Sequence, residues 1–201
     1  AVGTTTVSFV IGLVDQGTDT LSNIENIKTG SGNDNISATG ASSIANTIYA
    51  GAGDDTVNGG DGANTLYGEA GNDKLTAGSG NDTITESSGF PGGTPGAGND
   101  IITGLGGDDV IAGGGGNDVL IGPKYGGALF YGGDGDDRLI AIAALPSARH
   151  QFYGGAGNDY LVGGGGKDTL DGGTGNDTIH GTTGRNLIYA GHGNDEVVDG
   201  D

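Results

Sequence analysis

Aspartate recurs in this sequence at a fixed interval. Asp159, Asp168, Asp177 and Asp195 share one register of nine, with Asn186 in the remaining slot. The register also runs through Asn46, Asp55, Asn64, Asp73 and Asp82, skips one degenerate unit at 86–94, and resumes at Asp100, Asp109 and Asp118. Asp34 and Asp137 add further copies, so 12 of the 22 aspartates occupy a single repeat position. Carboxylates can serve as acid and base on a substrate or as ligands for a hard cation. A pair such as Asp54–Asp55 has the composition of a glycosidase pair, but ion binding accounts for the whole array.

Each of these residues closes a glycine-rich hexad and stands two residues before an apolar one. The unit reads Gly-Gly-x-Gly-Asn/Asp-Asp-x-apolar-x, and Gly172–His180 is a full copy. The triplet x-apolar-x forms a short strand whose middle side chain points inward. Val57, Leu66, Leu75, Ile84, Ile102, Ile111, Leu120, Leu161, Leu170, Ile179, Ile188 and Val197 hold that position and suit a buried strand. The hexad must reverse direction tightly. Glycine supplies positive φ and close backbone approach there, and Asn or Asp tolerates the left-handed region. Two units then make an 18-residue coil, with a strand on each face and a turn on each side. Coils stack at about 4.8 Å, so about nine of them give a rod of roughly 45 Å.

Residues 18 apart lie over one another in such a rod. That spacing pairs Asp55 with Asp73, Asp82 with Asp100, Asp100 with Asp118, Asp159 with Asp177, and Asp177 with Asp195. Carboxylates about 5 Å apart repel by about 3 kcal/mol at an effective dielectric near 20, so a cation is needed between them. Ca²⁺ takes roughly six to eight oxygens in flexible geometry, whereas Mg²⁺ demands a tighter octahedron and keeps its waters. Turn-glycine carbonyls complete such a set: Gly51, Gly53, Gly78, Gly80, Gly96, Gly98, Gly114, Gly116, Gly155, Gly157, Gly173, Gly175, Gly191 and Gly193. The candidate ligands are Asp34, Asp55, Asp73, Asp82, Asp100, Asp109, Asp118, Asp137, Asp159, Asp168, Asp177 and Asp195. Asn46, Asn64 and Asn186 keep an oxygen but lose charge, and are expected to make weaker sites. Ala128, in the weak unit 122–131, marks a lost site, as does His150 if it fills the slot in the glycine-poor insertion 141–151. Asp61, Asp134 and Asp171 fall off the ligand position and read as solvated charge.

Composition sets the limits of this reading. Of 201 residues 48 are glycine, and seven Lys+Arg face 26 Asp+Glu for a net charge of −19. With 33% hydrophobic and 5% aromatic residues, the chain is disordered or builds a narrow core by repetition. Roughly seven to ten Ca²⁺ would cancel most of the charge. There is no cysteine, hence no disulfide or thiolate site, and no methionine, as expected of a processed chain or fragment. No apolar run approaches the ~20 residues of a membrane helix. The acidic balance argues against nucleic acid or an anionic membrane as partner. HExxH and GxSxG motifs are absent and His150, His180 and His192 are scattered, so no enzyme is expected.

The nonapeptide resembles that of the repeats-in-toxin (RTX) family of bacterial secreted proteins, over roughly residues 29–199. The segment Gly17–Ile27 is similar to the lead-in that precedes such repeats. The resemblance implies an all-β, right-handed parallel β-roll with calcium held by the Asp side chains and turn carbonyls of neighbouring coils. It also implies export by one-step (type I) secretion through a C-terminal signal, which is not visible before Asp201. Residues 1–28 lack the repeat and are expected to cap the rod.

The remaining features are on the outside. Thr47, Thr65 and Thr83 form one ladder at a spacing of 18, and Tyr49 and Tyr67 stack likewise. Ile101, Val110, Val119, Leu129, Ile121, Tyr131, Ile140 and Tyr153 put apolar residues outward between about 101 and 162. The insertion covers them, or they face a neighbouring domain or a second copy. The expected function is a calcium-binding extracellular structural or adhesive module that folds on Ca²⁺ after secretion and self-assembles into a surface layer or filament. Two alternatives stand beside it: the C-terminal module of a larger secreted enzyme or toxin, and a glycan- or ice-binding solenoid.

Overall fold

The structure, a computed structural model, describes residues 8–10, 18–20, 26–38, 45–78, 80, 82–85, 98–104, 108–123, 126–142 and 146–200. These residues form a parallel β-solenoid of two sheets. The first sheet stacks Ser8–Val10, Asn26–Lys28, Thr47–Ala52, Thr65–Ala70, Thr83–Thr85, Asp109–Gly115, Ala128–Asp134, Gln151–Ala156, Thr169–Thr174 and Leu187–Tyr189 in chain order. The second stacks Thr18–Thr20, Asn35–Ser37, Thr56–Asn58, Lys74–Thr76, Ile101–Thr103, Val119–Ile121, Arg138–Ile140, Tyr160–Val162 and Thr178–Gly184, with Glu196–Asp199 paired to the last. Alternation between sheets along the chain is what a coil of two repeat units requires.

The register confirms which side chain turns inward. Ile48 pairs with Leu66 and Leu66 with Ile84 on one sheet; Leu120 pairs with Leu139 and Leu139 with Leu161 on the other. All of these are fully buried, and one file of such residues from each sheet makes the core. Phe130 and Phe152 widen it, their rings stacked at 4.6 Å. Gly122 makes room for them, since a Cβ there would stand 2.4 Å from the Phe130 ring. The expected outer ladders are present: Thr47, Thr65 and Thr83 are in register, and the Tyr49 and Tyr67 rings stack at 4.5 Å. Of the outward apolar residues, Ile101 and Tyr153 are exposed, while Val110, Val119, Ile121, Leu129, Tyr131 and Ile140 are half-buried by their ladder neighbours.

Three features differ from the expectations. Within the segment 1–28, expected to be a cap, Ser8–Val10, Thr18–Thr20 and Asn26–Lys28 supply rungs to both sheets, and Ser8 stands 18 residues before its partner Asn26. Strand pairing at the coil spacing therefore precedes the recognisable repeat. In the insertion, Ala141, Ala148 and His150 are buried and Gln151 opens a first-sheet strand, so its end is part of the coil. Lastly, Ile101 pairs with Lys74 and Val110 with Thr83, each a step of 27. The unit at 86–94 adds no rung to either sheet among the described residues. It has Pro91 where the Asp belongs and Gly93 where the inward apolar residue belongs. Proline has no N–H for the ladder, and glycine has nothing to bury.

Candidate metal sites in the turns

Turns leading into the second sheet line one edge of the solenoid, and turns leading into the first sheet line the other. On the first of these edges the repeat-position residues are Asp34, Asp55, Asp73, Asp100, Asp118, Asp137, Asp159, Asp177 and Asp195. Each carboxylate from Asp55 onward accepts, through Oδ1, the backbone N–H of the Asp one coil before it, at 2.5–3.0 Å. The file is unbroken. On the opposite edge the residues are Asn46, Asn64, Asp82, Asp109, Ala128, His150, Asp168 and Asn186, linked in the same way except at Ala128, where the Asp109 N–H turns to the Gly127 carbonyl.

These files correct the pairing expected at a spacing of 18. Asp82 does not lie over Asp100. Asp100 lies next to Asp73 and Asp82 next to Asp109, each at a separation of 27, so the Asp that follows the 86–94 unit falls on the other edge. The pairs 55/73, 100/118, 159/177 and 177/195 stand as expected. The pairs 34/55, 118/137 and 137/159 are added, at separations of 21, 19 and 22. Regular spacing could not show these, since each spans an irregular unit.

The second carboxylate oxygen defines the site. Oδ2 of Asp34, Asp55, Asp73, Asp82, Asp100, Asp109, Asp118, Asp137, Asp159, Asp168 and Asp177 is buried with no hydrogen-bond partner. It faces other oxygens. A Cβ placed on Gly154 would meet Asp159 Oδ2 and the Gly172 carbonyl oxygen, both at 2.4 Å, and one on Gly172 would meet Asp177 Oδ2 and the Ala190 oxygen at the same distances. Only glycine leaves that space open. The deeper turn glycines have positive φ and meet the preceding coil's backbone as closely: a Cβ on Gly157 would lie 2.0 Å from the Gly135 oxygen. Gly51, Gly53, Gly78, Gly80, Gly98, Gly116, Gly155, Gly173, Gly175, Gly191 and Gly193 meet a backbone oxygen of the preceding coil in the same way, while Gly114 presents its oxygen to Gly133. Gly96 lies outside the described residues.

The asparagine turns show what the oxygens require. Asn64 Nδ2 donates to the Gly60 and Gly62 carbonyls at 2.9 and 3.1 Å. Asn46 and Asn186 Nδ2 reach the Gly59 and Gly181 carbonyls, each at 2.9 Å. Turn carbonyls thus converge on the slot that the second side-chain atom fills. An amide satisfies them with N–H groups; a carboxylate adds a further oxygen and leaves the set without a donor. The expectation of weaker asparagine sites changes accordingly. Asn64 and Asn186 spend Oδ1 on the neighbouring coil, and all three asparagines turn a donor to the carbonyls. His150 fills its slot differently: Nδ1 accepts the Ala128 N–H at 3.1 Å and Nε2 is buried without a partner.

Electrostatics agree with the geometry. Burial pushes the Asp137 carboxyl up to about 8, against the pull of its backbone donor from Asp118, with the charges of Asp118 and Asp159 adding to the rise. Burial likewise raises Asp55, Asp100 and Asp109 to about 7 and Asp82, Asp118, Asp159 and Asp168 to about 6. Asp177 shifts the same way. Each site calls for a proton or a cation. The oxygens fit calcium, as one or two carboxylates with backbone carbonyls. No three His, Cys, Asp or Glu side chains cluster as a conventional metal centre among the described residues.

The profile of the RTX calcium-binding nonapeptide repeat, four copies long, matches residues 28–66, 41–75, 49–84, 95–122, 129–141, 151–179 and 171–198, well over half of the chain. No curated protein and no solved structure matches it. Repeats of this kind are multiple-calcium-binding modules of secreted bacterial proteins. The chain belongs to the RTX calcium-binding nonapeptide-repeat family.

Proposed function

We propose that this chain is an extracellular structural or adhesive module that folds when calcium is bound. The buried Oδ2 atoms carry the reading. Eleven carboxylate oxygens without a donor are untenable together at neutral pH unless cations replace the missing protons. The bound ion supplies positive charge at the turns and nothing else. The Asp side chains and turn carbonyls hold it, and the narrow core cannot offset chain entropy without it. In this reading the aspartate file and Asp82, Asp109 and Asp168 are the ligands, and the module acts by binding, not by catalysis. Secretion into millimolar calcium is the folding trigger, and the exposed and half-buried apolar residues from Ile101 to Val162 are where a neighbouring domain or a second copy docks.

The test is a calcium titration followed by circular dichroism and sedimentation. At the upper end of the carboxyl range, about pH 8, the chain should be unordered in chelator, gain β signal in millimolar calcium, and then sediment as a larger species. An unchanged β signal in chelator would sink calcium-linked folding, and a strict monomer at high concentration would sink self-assembly. Recovery of a longer reading frame with a catalytic domain would favour the alternative, a module of a secreted enzyme or toxin.

A further inference from the structure

Three of the chain's seven basic residues stand in one column. Arg149, Lys167 and Arg185 each precede the slot residue on the mixed edge, immediately before His150, Asp168 and Asn186. Gln151 pairs with Thr169 and Thr169 with Leu187, which places the three cations one above another on successive coils. All three are exposed. Lys28 and Arg138 lie over the rings of Tyr49 and Tyr160, whereas the side chains of these three have no ion pair, hydrogen bond or ring partner among the described residues. The equivalent position on the opposite edge carries Asn33, Asp54, Asn72, Asn99, Asn117, Asp136, Asn158, Asn176 and Asn194, an Asn/Asp ladder with no cation. Like charges stacked at about 4.8 Å oppose folding. In a chain of net charge −19, a cationic row whose side chains have no partner among the described residues calls for an anion from outside.

We infer that this row is a binding site for a linear acidic polysaccharide. One cation per coil matches a polymer that carries its charges at sugar-residue intervals. The adjoining first-sheet surface offers Gln151, Tyr153, Thr169 and Tyr189, polar groups beside exposed rings. Beside Arg149 opens a cleft of about 460 Å³, lined by the apolar Val110 and Leu129 and by the polar Asp108, Ser147 and Gln151. That mixture suits a sugar ring, which has both apolar faces and hydroxyl edges. Nucleic acid fits less well, because its charge, one per about 1.7 Å of duplex axis, would meet the acidic remainder of the chain. A second copy fits less well too: the opposite edge buries its slot carboxylates and exposes mainly asparagine.

This site rests on the calcium-ordered solenoid, so its test begins by recording circular dichroism in millimolar calcium. Binding of a fluorescent heparin oligosaccharide is then measured against neutral dextran and duplex DNA. Wild type should bind heparin, weaken as salt rises, and leave dextran unbound. Arg149→Gln/Lys167→Gln/Arg185→Gln should fold normally and bind about tenfold to a hundredfold more weakly. Lys28→Gln/Lys74→Gln/Arg138→Gln, with the same net charge, should bind as wild type does. Ordered wild type that ignores heparin, equal losses in the two triple variants, or tighter binding of DNA would overturn the site alone. Failure to order in calcium would overturn the folding reading and the site with it.

Discussion

The two edges of the solenoid use the same hexad and reach opposite electrostatic outcomes. Along one edge nine aspartates follow one another without interruption, and eight of them carry a buried oxygen with no donor. Along the other, only Asp82 and Asp109 are adjacent carboxylates; Asn, Ala and His fill most remaining slots. The amides there close their own turns, and cations stand outside the last three. A turn therefore does not need an ion in every case. A turn whose slot side chain is a carboxylate needs a positive charge, whereas an amide in that slot supplies donors instead. In the proposed function, calcium dependence is accordingly concentrated on the aspartate edge.

The largest expected effect separates the edges directly. Asp118→Ala/Asp137→Ala/Asp159→Ala removes three Oδ1 acceptors, leaving buried N–H groups unpaired at about 1–3 kcal/mol each, and removes the ion ligands as well. Such a loss rivals the total stability of a small domain. This variant should show no β signal in millimolar calcium, whereas Asp82→Ala/Asp168→Ala should keep the signal with a raised calcium midpoint. Equal losses by circular dichroism would erase the distinction between the edges.

The next effect concerns protons. Carboxyls raised in the folded state bind protons that the unfolded chain releases near pH 3.8. Their contribution to the calcium-free fold is complete below that pH and is lost as pH rises through about 6 to 8. In chelator, β signal should be greatest near pH 4 and decline toward pH 8. Asp137→Asn should flatten the upper part of that decline, because Asp137 is the carboxyl raised furthest. A calcium-free chain equally unordered at pH 4 and pH 8 would break this link.

The sequence shows the coil, the inward file and the ligand position, because each rests on a single residue choice repeated in register. Partnership is less legible. Which Asp stands over which depends on the spacing across irregular units, and the unit at 86–94, with Pro91 and Gly93, reads only as a defective copy until the step of 27 from Lys74 to Ile101 is known. His150 was visible as a substitute, but its role as an acceptor through Nδ1 depends on ring placement that spacing does not contain. Ser8–Val10, Thr18–Thr20 and Asn26–Lys28 form rungs without glycine-rich hexads in the sequence before them, so no repeat announces them. The cationic column needed the edges sorted before Arg149, Lys167 and Arg185 could be set in one line.

Converting one edge toward the other tests the amide argument at moderate cost. Asn64→Asp removes two hydrogen bonds to turn carbonyls, worth about 1 kcal/mol each, and places a carboxylate next to Asp82. The chelator state should lose about 2 kcal/mol by denaturant unfolding at the pH of greatest apo order. Calcium should restore it, with one more ion bound by calorimetry. The reverse change, Asp82→Asn, should stabilise the calcium-free chain. An Asn64→Asp protein unchanged in chelator would mean the amides do not stand in for ions.

The smallest effect belongs to His150. Aspartate there can still accept the Ala128 N–H and would lie next to Asp168, completing a carboxylate pair at the ordinary spacing of 18. It would also remove a buried ring that lies 6.3 and 6.1 Å from Phe130 and Phe152, leaving space beside the widest part of the core. The two consequences oppose each other. His150→Asp should bind one additional calcium by calorimetry, yet shift the calcium-loaded unfolding midpoint by no more than about 1 kcal/mol in either direction. Gain of the ion would show that the slot geometry on the mixed edge is intact and that only the side chain decides its occupancy. No gain, with the fold preserved, would mean that the backbone of that edge has departed from ligand geometry.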